Sequence, residues 1–308
     1  MTADHDWQRE HLERALAISG VQADEVVLPA DHDVLVGRLR LHYLDWGGPS
    51  DRTVVFLHGG GLTAHTWDLV CLALRPHHRC FAIDLRGHGD SEWSPNLRYG
   101  IDDNVTDLVG FVAALGLSSF ALVGMSLGGG TAMAYAARES ERLTALCIID
   151  VGPRIQPAGT RRIHNFMMME SQEMASVEDF VERAVRFNPA RDRELLRRSL
   201  LYNLHQLPDG SWTWKYDRRH RGQSAFESAE QRLAQLSEAV ERIPCPVLVV
   251  RGADSDVFSV ADAEELARSL PDGRVATVPG AGHTVQGDNP RGLLAVLEPF
   301  LDSAFARH

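Results

Sequence analysis

The chain has 308 residues, of which 44% are hydrophobic and 24% charged, and its formal net charge is −11. This composition is typical of a globular protein and argues against a disordered chain, a collagen-like fibre and a small disulfide scaffold. The acidic balance also disfavours nucleic acid or an anionic membrane as a partner, because both are negatively charged.

Residues 1–30 form a charged, helix-like extension at the start of the chain. They lack the apolar segment of a secretory signal, and no apolar run long enough to span a bilayer follows. We therefore expect a cytoplasmic protein without a membrane partner. After this extension, Leu35–Leu41 and Leu41–Trp46 predict an antiparallel hairpin.

From there, short apolar runs rich in β-branched residues alternate with segments of helical period. Such runs indicate strands that are buried on both faces of a parallel sheet. The runs are Thr53–His58, Cys80–Leu85, Phe120–Met125, Leu143–Asp150, Pro246–Gly252 and Arg274–Gly280. Helix candidates between them are Ile101–Leu115, Leu127–Arg138, Val260–Leu270 and Arg291–Ala304. With the hairpin, this alternation predicts a doubly wound, mostly parallel α/β sheet of eight strands.

The alternation stops between about Val151 and Arg242. Amphipathic stretches such as Val177–Phe187 and Arg193–Leu204 replace the strand-like runs there. A helical block that interrupts a sheet in this way is typical of a cap over the sheet. We therefore predict an inserted helical cap at residues 153–242.

The predicted sheet domain is accordingly divided into residues 1–152 and residues 243–308. From Arg161 to Arg242 the chain has 14 basic and 13 acidic residues, so nearly all of the net charge of −11 belongs to the sheet domain. If the predicted cap covers a substrate-binding site, its near-neutral charge favours a small, largely uncharged substrate.

The four cysteines give no sign of a metal or redox site. Cys71, Cys80, Cys147 and Cys245 occur without a CxxC pair, and three of them lie in or beside apolar runs. Free cysteines in such runs behave as small buried hydrophobic residues. We therefore expect neither a zinc site nor a disulfide framework.

Ser126 is the candidate nucleophile. It lies in the segment GMSLGGG, directly after the apolar run Phe120–Met125 and directly before the helix candidate Leu127–Arg138. This strand–turn–helix context is that of a nucleophile elbow, in which a tight turn exposes the serine above the sheet. The N-terminus of the helix would then direct backbone N–H groups at a developing oxyanion.

A serine hydroxyl needs a base to become a useful nucleophile. His283 stands in the segment PGAGH, between the last predicted strand and the last helix, and is the candidate base. The segment HGGG follows the strand TVVFLH, where the second half of an oxyanion hole is expected. Gly60 and Leu127 are the candidate N–H donors, with Gly61 as an alternative.

Five segments, HGGG, DLRGHGDS, GMSLGG, IIDVGP and PGAGH, occur in this order. Together they resemble the α/β-hydrolase superfamily, in its cap-bearing branch of serine hydrolases, over about residues 35–301. The resemblance implies carboxylesterases, lactonases, carbon–carbon bond hydrolases of aromatic degradation and a few acyltransferases as relatives, with no metal or organic cofactor. Haloalkane dehalogenases and epoxide hydrolases of this fold use an Asp nucleophile, so Ser126 argues against both.

The acid of the triad departs from the pattern of most relatives. They carry it after the seventh strand, where this chain has Ser255, flanked by Asp254 and Asp256. Some relatives carry it at the end of the sixth strand, 24 residues after the nucleophile, and Asp150 stands there. We favour Asp150 and keep Asp256 and Asp254 as alternatives. In each case the carboxylate would orient the imidazole and stabilise its protonated form.

Other residues of the predicted cap are candidates for contact with the substrate. Met167, Met168, Met169 and Met174 could line an adaptable apolar pocket, and the segment WTW at residues 212–214 could reach the cleft. Arginines 154, 161 and 162 could receive a substrate carboxylate, although a solvated face is the simpler interpretation.

These features predict a hydrolase that cleaves a small carboxylic ester or lactone through an acyl-enzyme on Ser126. A carbon–carbon bond hydrolase of a ring-cleavage product is the alternative within the same class, because such enzymes use the same triad beneath a helical cap. A non-catalytic ligand-binding protein on the same fold is the alternative from a different class. The sequence leaves the substrate and the oligomeric state open.

Overall fold

A computed structural model of the chain describes residues 2–167, 173–220, 231–233 and 236–307. The strands are β1 (Ala30–Val36), β2 (Leu39–Asp45), β3 (Thr53–Leu57), β4 (Arg79–Ile83), β5 (Phe120–Met125), β6 (Leu143–Ile149), β7 (Glu173–Met174), β8 (Leu204–Gln206), β9 (Trp212–Trp214), β10 (Val247–Gly252) and β11 (Gly273–Val278). The α-helices are α1 (Thr2–Ser19), α2 (Asp68–Leu74), α3 (Ile101–Ala114), α4 (Leu127–Ala136), α5 (Pro157–Met167), α6 (Val177–Phe187), α7 (Arg193–Asn203), α8 (Ser237–Val240), α9 (Val260–Ser269), α10 (Val285–Asp288) and α11 (Pro290–Phe305).

Eight of the described strands form one sheet in the order β1-β2-β4-β3-β5-β6-β10-β11. The pairs from β4 to β11 are parallel, whereas β1 with β2 and β2 with β4 are antiparallel. The predicted doubly wound, mostly parallel sheet is therefore confirmed. Since the carboxyl ends of the parallel strands share one edge, the loops after them meet there.

Both faces of the sheet are covered. Along β3, Val55 and Leu57 belong to one apolar cluster, and Val54 and Phe56 belong to the other, because successive side chains point to opposite faces. Helices α3, α4 and α9 contribute to the first cluster, and α1, α2 and α11 contribute to the second. Burial on both faces explains why these strands are apolar throughout rather than alternating.

The hairpin begins earlier than the sequence indicates, at Ala30 instead of Leu35. Residues 30–33 read ADHD and are exposed, so they give no apolar alternation that could mark a strand. They pair with β2 through the backbone, which needs no apolar side chain.

Residues 153–242, which we call the inserted segment, lie between β6 and β10. Helices α5, α6 and α7 pack there around their own apolar cluster, which includes Phe180, Leu200 and Trp214. The segment also contains strands, which the sequence did not predict: β7, β9 and β8 form a small antiparallel sheet. Strands of two or three residues are too short to show a period, although the turn sequence Pro-Asp-Gly between β8 and β9 is a recognisable signal.

The cysteines Cys71, Cys80, Cys147 and Cys245 are free and buried, in agreement with their apolar surroundings in the sequence. Among the described helices, none is both long enough and apolar enough to cross a membrane.

Candidate active site

Ser126 lies at a sharp turn between β5 and α4. Its backbone has φ 53° and ψ −115°, a left-handed conformation that is costly for a residue with a side chain. The turn is held by two hydrogen bonds, from the Ser126 N–H to the oxygen of Ile149 (3.0 Å) and from the Gly130 N–H to the oxygen of Ser126 (2.8 Å). Glycine is required at Gly128, because a Cβ there would lie 2.7 Å from the carbonyl oxygen of His58. This strand–turn–helix geometry matches that of the predicted elbow, and the role of Ser126 as nucleophile stays a prediction.

His283 connects the serine to an acid. Its Nε2 lies 3.0 Å from Ser126 Oγ, and its Nδ1 lies 2.8 Å from Asp150 Oδ2. The imidazole is 13% exposed and the Asp150 carboxylate is fully buried. With the proton on Nδ1 held by the carboxylate, Nε2 is free to accept the proton of the serine hydroxyl, which is the geometry of a Ser–His–Asp triad.

Asp150 follows β6 directly and is held by four contacts. Its N–H donates to the oxygen of Val250 (2.8 Å), and its Oδ1 accepts from the Gly252 N–H (2.9 Å). Its Oδ2 accepts from the Ser255 hydroxyl (2.5 Å) as well as from His283. Its φ of 53° is again left-handed, so both Ser126 and Asp150 have strained backbones where their strands end.

The two alternative acids lie elsewhere. Asp254 and Asp256 are both exposed, and the carboxylate of Asp256 accepts two hydrogen bonds from Arg162, at 2.7 and 2.9 Å. The hydrogen bond from Arg162 lowers the pKa of Asp256. Among the described residues, Asp150 is the carboxylate that the structure brings to His283.

The candidate oxyanion donors line the same cavity as Ser126 and His283. Leu127 is the first residue of α4, so its N–H has no partner four residues back in the helix. A Cβ at Gly60 would meet no atom within 4 Å, so this backbone borders open space. Gly61 also lines the cavity, with φ 80°. The choice of Gly60 and Leu127 as donors stays a prediction, which their position supports.

A buried carboxylate that sequence reasoning missed braces the loops next to the site. Asp84 accepts hydrogen bonds from the N–H groups of Ala64 (2.6 Å) and Asp90 (2.9 Å) and contacts His42 Nδ1 at 2.8 Å. Although burial opposes the charged form, the hydrogen bond with His42 lowers the pKa of Asp84 to about 2. Asp84 therefore ties the loop after β3 to the loop after β4 as a carboxylate.

His42 is the cation of this pair. Burial alone would lower the pKa of His42, but its hydrogen bonds with Asp31 and Asp84 raise it to about 10. His42, Asp84 and Asp90 lie close enough together to suggest a metal site. A protonated imidazole has no lone pair for a metal, so this cluster is better explained as an ion pair.

A cavity of about 350 Å³ opens over Ser126. Side chains of the inserted segment supply most of its apolar lining, including Ile163, Phe166, Met167 and Trp214. Two of the pocket residues proposed from the sequence, Met167 and the second tryptophan of WTW, are thus in its wall. Met168 and Met169 lie outside the described residues. Met174 is not part of the described wall and packs instead against the apolar cluster of the inserted segment.

The three arginines considered as carboxylate receptors are not part of the described cavity wall. Arg154 forms an ion pair with Glu265, and Arg162 pairs with Asp256. Arg161 is exposed. Two other arginines line the described cavity wall, Arg86 from the segment DLRGHGDS and Arg191, for which the sequence offered no distinguishing signal.

The chain is similar in sequence and fold to known hydrolases. A model of the alpha/beta hydrolase family matches residues 54–296. Esterase Rv0045c of Mycobacterium tuberculosis is 34% identical over 266 residues, covering 84% of this chain and 86% of that protein. A crystal structure of that esterase matches with a TM-score of 0.75 at 32% identity, covering 94% of this chain and 96% of that one. The 2-(acetamidomethylene)succinate hydrolase of Mesorhizobium japonicum is 28% identical over 273 residues, covering 87% of this chain and 94% of that protein.

Proposed function

The chain belongs to the alpha/beta hydrolase family, and on this basis we propose that it is a serine hydrolase that cleaves a small carboxylic ester or lactone. The observation that carries the proposal is the continuous set of hydrogen bonds from Ser126 through His283 to Asp150, at 3.0 and 2.8 Å. The 34% identity to an esterase supports an ester as the bond that is cleaved.

The proposed reaction begins when Ser126 Oγ attacks the carbonyl carbon of the substrate. His283 Nε2 takes the hydroxyl proton as the Oγ–C bond forms, and Asp150 stabilises the resulting imidazolium. The N–H groups of Gly60 and Leu127 would hold the oxyanion, and one such donor is typically worth roughly 3–4 kcal/mol of transition-state stabilisation.

The tetrahedral intermediate then collapses to the acyl-enzyme. The bond to the alcohol oxygen breaks, and His283 returns its proton to that oxygen as the alcohol leaves. Water next attacks the acyl carbon, while His283 again accepts a proton and then passes it to Ser126 Oγ. We further propose that the inserted segment acts as a cap that holds the small-molecule substrate over this site.

Carbon–carbon bond cleavage is the second candidate, because the same triad beneath a largely apolar cap would serve it. One relative described above is named an esterase and the other a 2-(acetamidomethylene)succinate hydrolase. Membership of the family therefore does not determine which bond is cleaved. A non-catalytic binding protein would have no use for the strained backbones of Ser126 and Asp150, which argues against that interpretation.

The proposal is tested with 4-nitrophenyl acetate and butyrate and with a serine-reactive fluorophosphonate. The wild-type protein should release nitrophenol with an initial burst and gain the mass of one phosphonyl group on Ser126. Ser126→Ala should lose both properties while it keeps the wild-type thermal unfolding midpoint. Equal hydrolysis by Ser126→Ala would refute the nucleophile, and labelling of Ser126 without turnover of any ester would refute the esterase.

A further inference from the structure

Charged side chains in the wall of the cavity are paired, with one exception in the part of the wall that the structure describes. Arg86 makes two hydrogen bonds with Asp107, each 2.6 Å long. Asp217 accepts from Arg219 at 2.6 and 2.8 Å. Arg191 lines the same cavity and forms neither a side-chain hydrogen bond nor an ion pair with the residues described.

Arg191 lies between α6 and α7 and is only partly exposed. Its Nε is buried without a hydrogen-bond partner, and burial lowers the pKa of the guanidinium. The guanidinium packs against the backbone of Gly287, where an added Cβ would lie 2.7 Å from Nη1. Arg191 lines two cavities, the one over Ser126 and a second of about 30 Å³ that also borders Gly287. The second has room for little more than a water molecule, so the cavity over Ser126 is the one in which a ligand could reach Arg191.

The neighbouring acid, Asp288, attracts the guanidinium, but its carboxylate oxygens bind other partners. One oxygen of Asp288 accepts from Asn188 Nδ2 and the other from the Gly282 N–H, both at 2.9 Å. Neither oxygen forms an ion pair with Arg191 within the described structure, although Asp288 contributes a longer-range attraction. The carboxylate of Asp288 therefore fixes two loops, and the guanidinium is left with open donors.

A partly enclosed cation without a direct ion-pair partner is unfavourable, and arginine cannot escape by losing its proton. A guanidinium fits a carboxylate with two parallel hydrogen bonds, and this contact gains strength when water is excluded. The rest of the described wall is mainly apolar, so one carboxylate is the charge that the cavity can neutralise. We propose that Arg191 binds a carboxylate of the substrate, which makes the preferred substrate an ester or lactone with a free carboxylate.

This inference rests on the proposed function, and it changes what the sequence suggested about the substrate. The near-neutral net charge of residues 161–242 favoured an uncharged substrate. The net charge of a segment adds up all its charged side chains, most of which are exposed. It therefore does not reveal one unpaired charge in the cavity. Arg191 alone supplies the local charge that the sum conceals.

The first test compares esters that differ only in whether the acyl chain ends in a carboxylate. The probes are monoethyl esters of the linear dicarboxylic acids from glutaric to suberic acid, each paired with the ethyl ester of the monocarboxylic acid of equal chain length. In the wild type, kcat/KM should favour the carboxylate member at one or two chain lengths. Arg191→Gln should lower this ratio roughly 10- to 100-fold, and Arg191→Lys by less, because it keeps the charge but not the paired geometry.

Arg161→Gln is the matched control. It removes the same charge from an exposed position of the inserted segment and should keep the wild-type ratio. A ratio that stays within about twofold of the wild type in Arg191→Gln at every chain length would overturn the proposal.

The second test separates binding from turnover. In the Ser126→Ala protein, calorimetric titration with the best monoethyl ester should show binding that the Ser126→Ala/Arg191→Gln protein loses. If this binding is observed but the wild type hydrolyses no ester, the carboxylate site stands and the esterase proposal fails. If the wild type hydrolyses neutral esters and both proteins bind the anionic ester equally, the esterase stands and the carboxylate site is refuted.

Discussion

The hydroxyl of Ser255 lies 2.5 Å from Oδ2 of Asp150, the oxygen that also contacts His283. Ser255 stands where most members of the family carry the acid itself, so the loop after β10 supports the triad without supplying the carboxylate. The Oγ of Ser255 also accepts from the Val257 N–H at 3.2 Å, which orients the hydroxyl toward Asp150. The candidate acid Asp150 and the residue at the position that most relatives use are thus in direct contact.

If Asp150 is the acid, Asp150→Asn should lower kcat on 4-nitrophenyl butyrate by about 10⁴-fold, because an amide favours the wrong imidazole tautomer. Asp254→Asn and Asp256→Asn are the matched controls, since both change one carboxylate in the neighbouring loop and should stay within about threefold of the wild type. Steady-state kinetics at pH 7.5 decide between them. If kcat fell strongly in either control while Asp150→Asn kept a kcat near that of the wild type, the residue changed in that control would be the acid instead.

The contact between Ser255 and Asp150 allows a rescue experiment. Ser255→Asp in the Asp150→Asn background places a carboxylate at the position that most relatives use. We expect it to restore about 10- to 100-fold of the lost kcat, because a carboxylate next to Nδ1 recovers the productive tautomer. Ser255→Asp in the wild-type background should instead lower activity, since two carboxylates would then adjoin. No recovery in the double variant would show that the loop cannot present an acid to His283.

The sequence indicates Ser126 and His283 as candidates because each lies in a short motif next to a predicted strand. Asp150 was favoured by its spacing from the nucleophile but could not be separated from Asp254 and Asp256, since contact with His283 depends on how three loops meet. Arg191 could not be recognised at all. It is one of many arginines in the inserted segment. Its distinguishing features are its place in the cavity wall and its lack of a side-chain partner among the described residues, and both are three-dimensional properties.

Arg198 and Asp68 form an ion pair that joins the inserted segment to the sheet domain, with side chains only 9% and 2% exposed. Asp68→Asn leaves the buried guanidinium without its counter-charge, so it should lower the free energy of unfolding by about 3–5 kcal/mol. Urea denaturation at pH 7 measures the change. Asp302→Asn is the matched control: its pair with Arg52 is 50% and 29% exposed, and its loss should cost less than about 1 kcal/mol. Equal effects of the two substitutions would contradict the prediction.

The ion pair of His42 with Asp84 predicts how stability depends on pH. The hydrogen bonds with Asp31 and Asp84 outweigh burial and raise the pKa of His42 from 6.5 to about 10, so the folded state holds this proton more tightly than the unfolded state does. The stabilisation is fully present below pH 6.5 and is lost as the pH rises toward 10. His42→Gln should therefore lower the free energy of unfolding by a few kcal/mol near pH 6, and by progressively less at pH 8 and pH 9.5.

His77→Gln is the control for this pH series, because His77 is an exposed histidine of the same sheet domain. The free energy of unfolding of His77→Gln should differ little from that of the wild type at every pH. Urea denaturation of the wild type, His42→Gln and His77→Gln between pH 6 and pH 9.5 measures how far each variant's free energy of unfolding departs from that of the wild type. A His42→Gln difference that stays constant or grows with pH would mean that the folded state holds His42 neutral. Asp84 would then brace the loops after β3 and β4 without a cationic partner, and the ion-pair interpretation would be wrong.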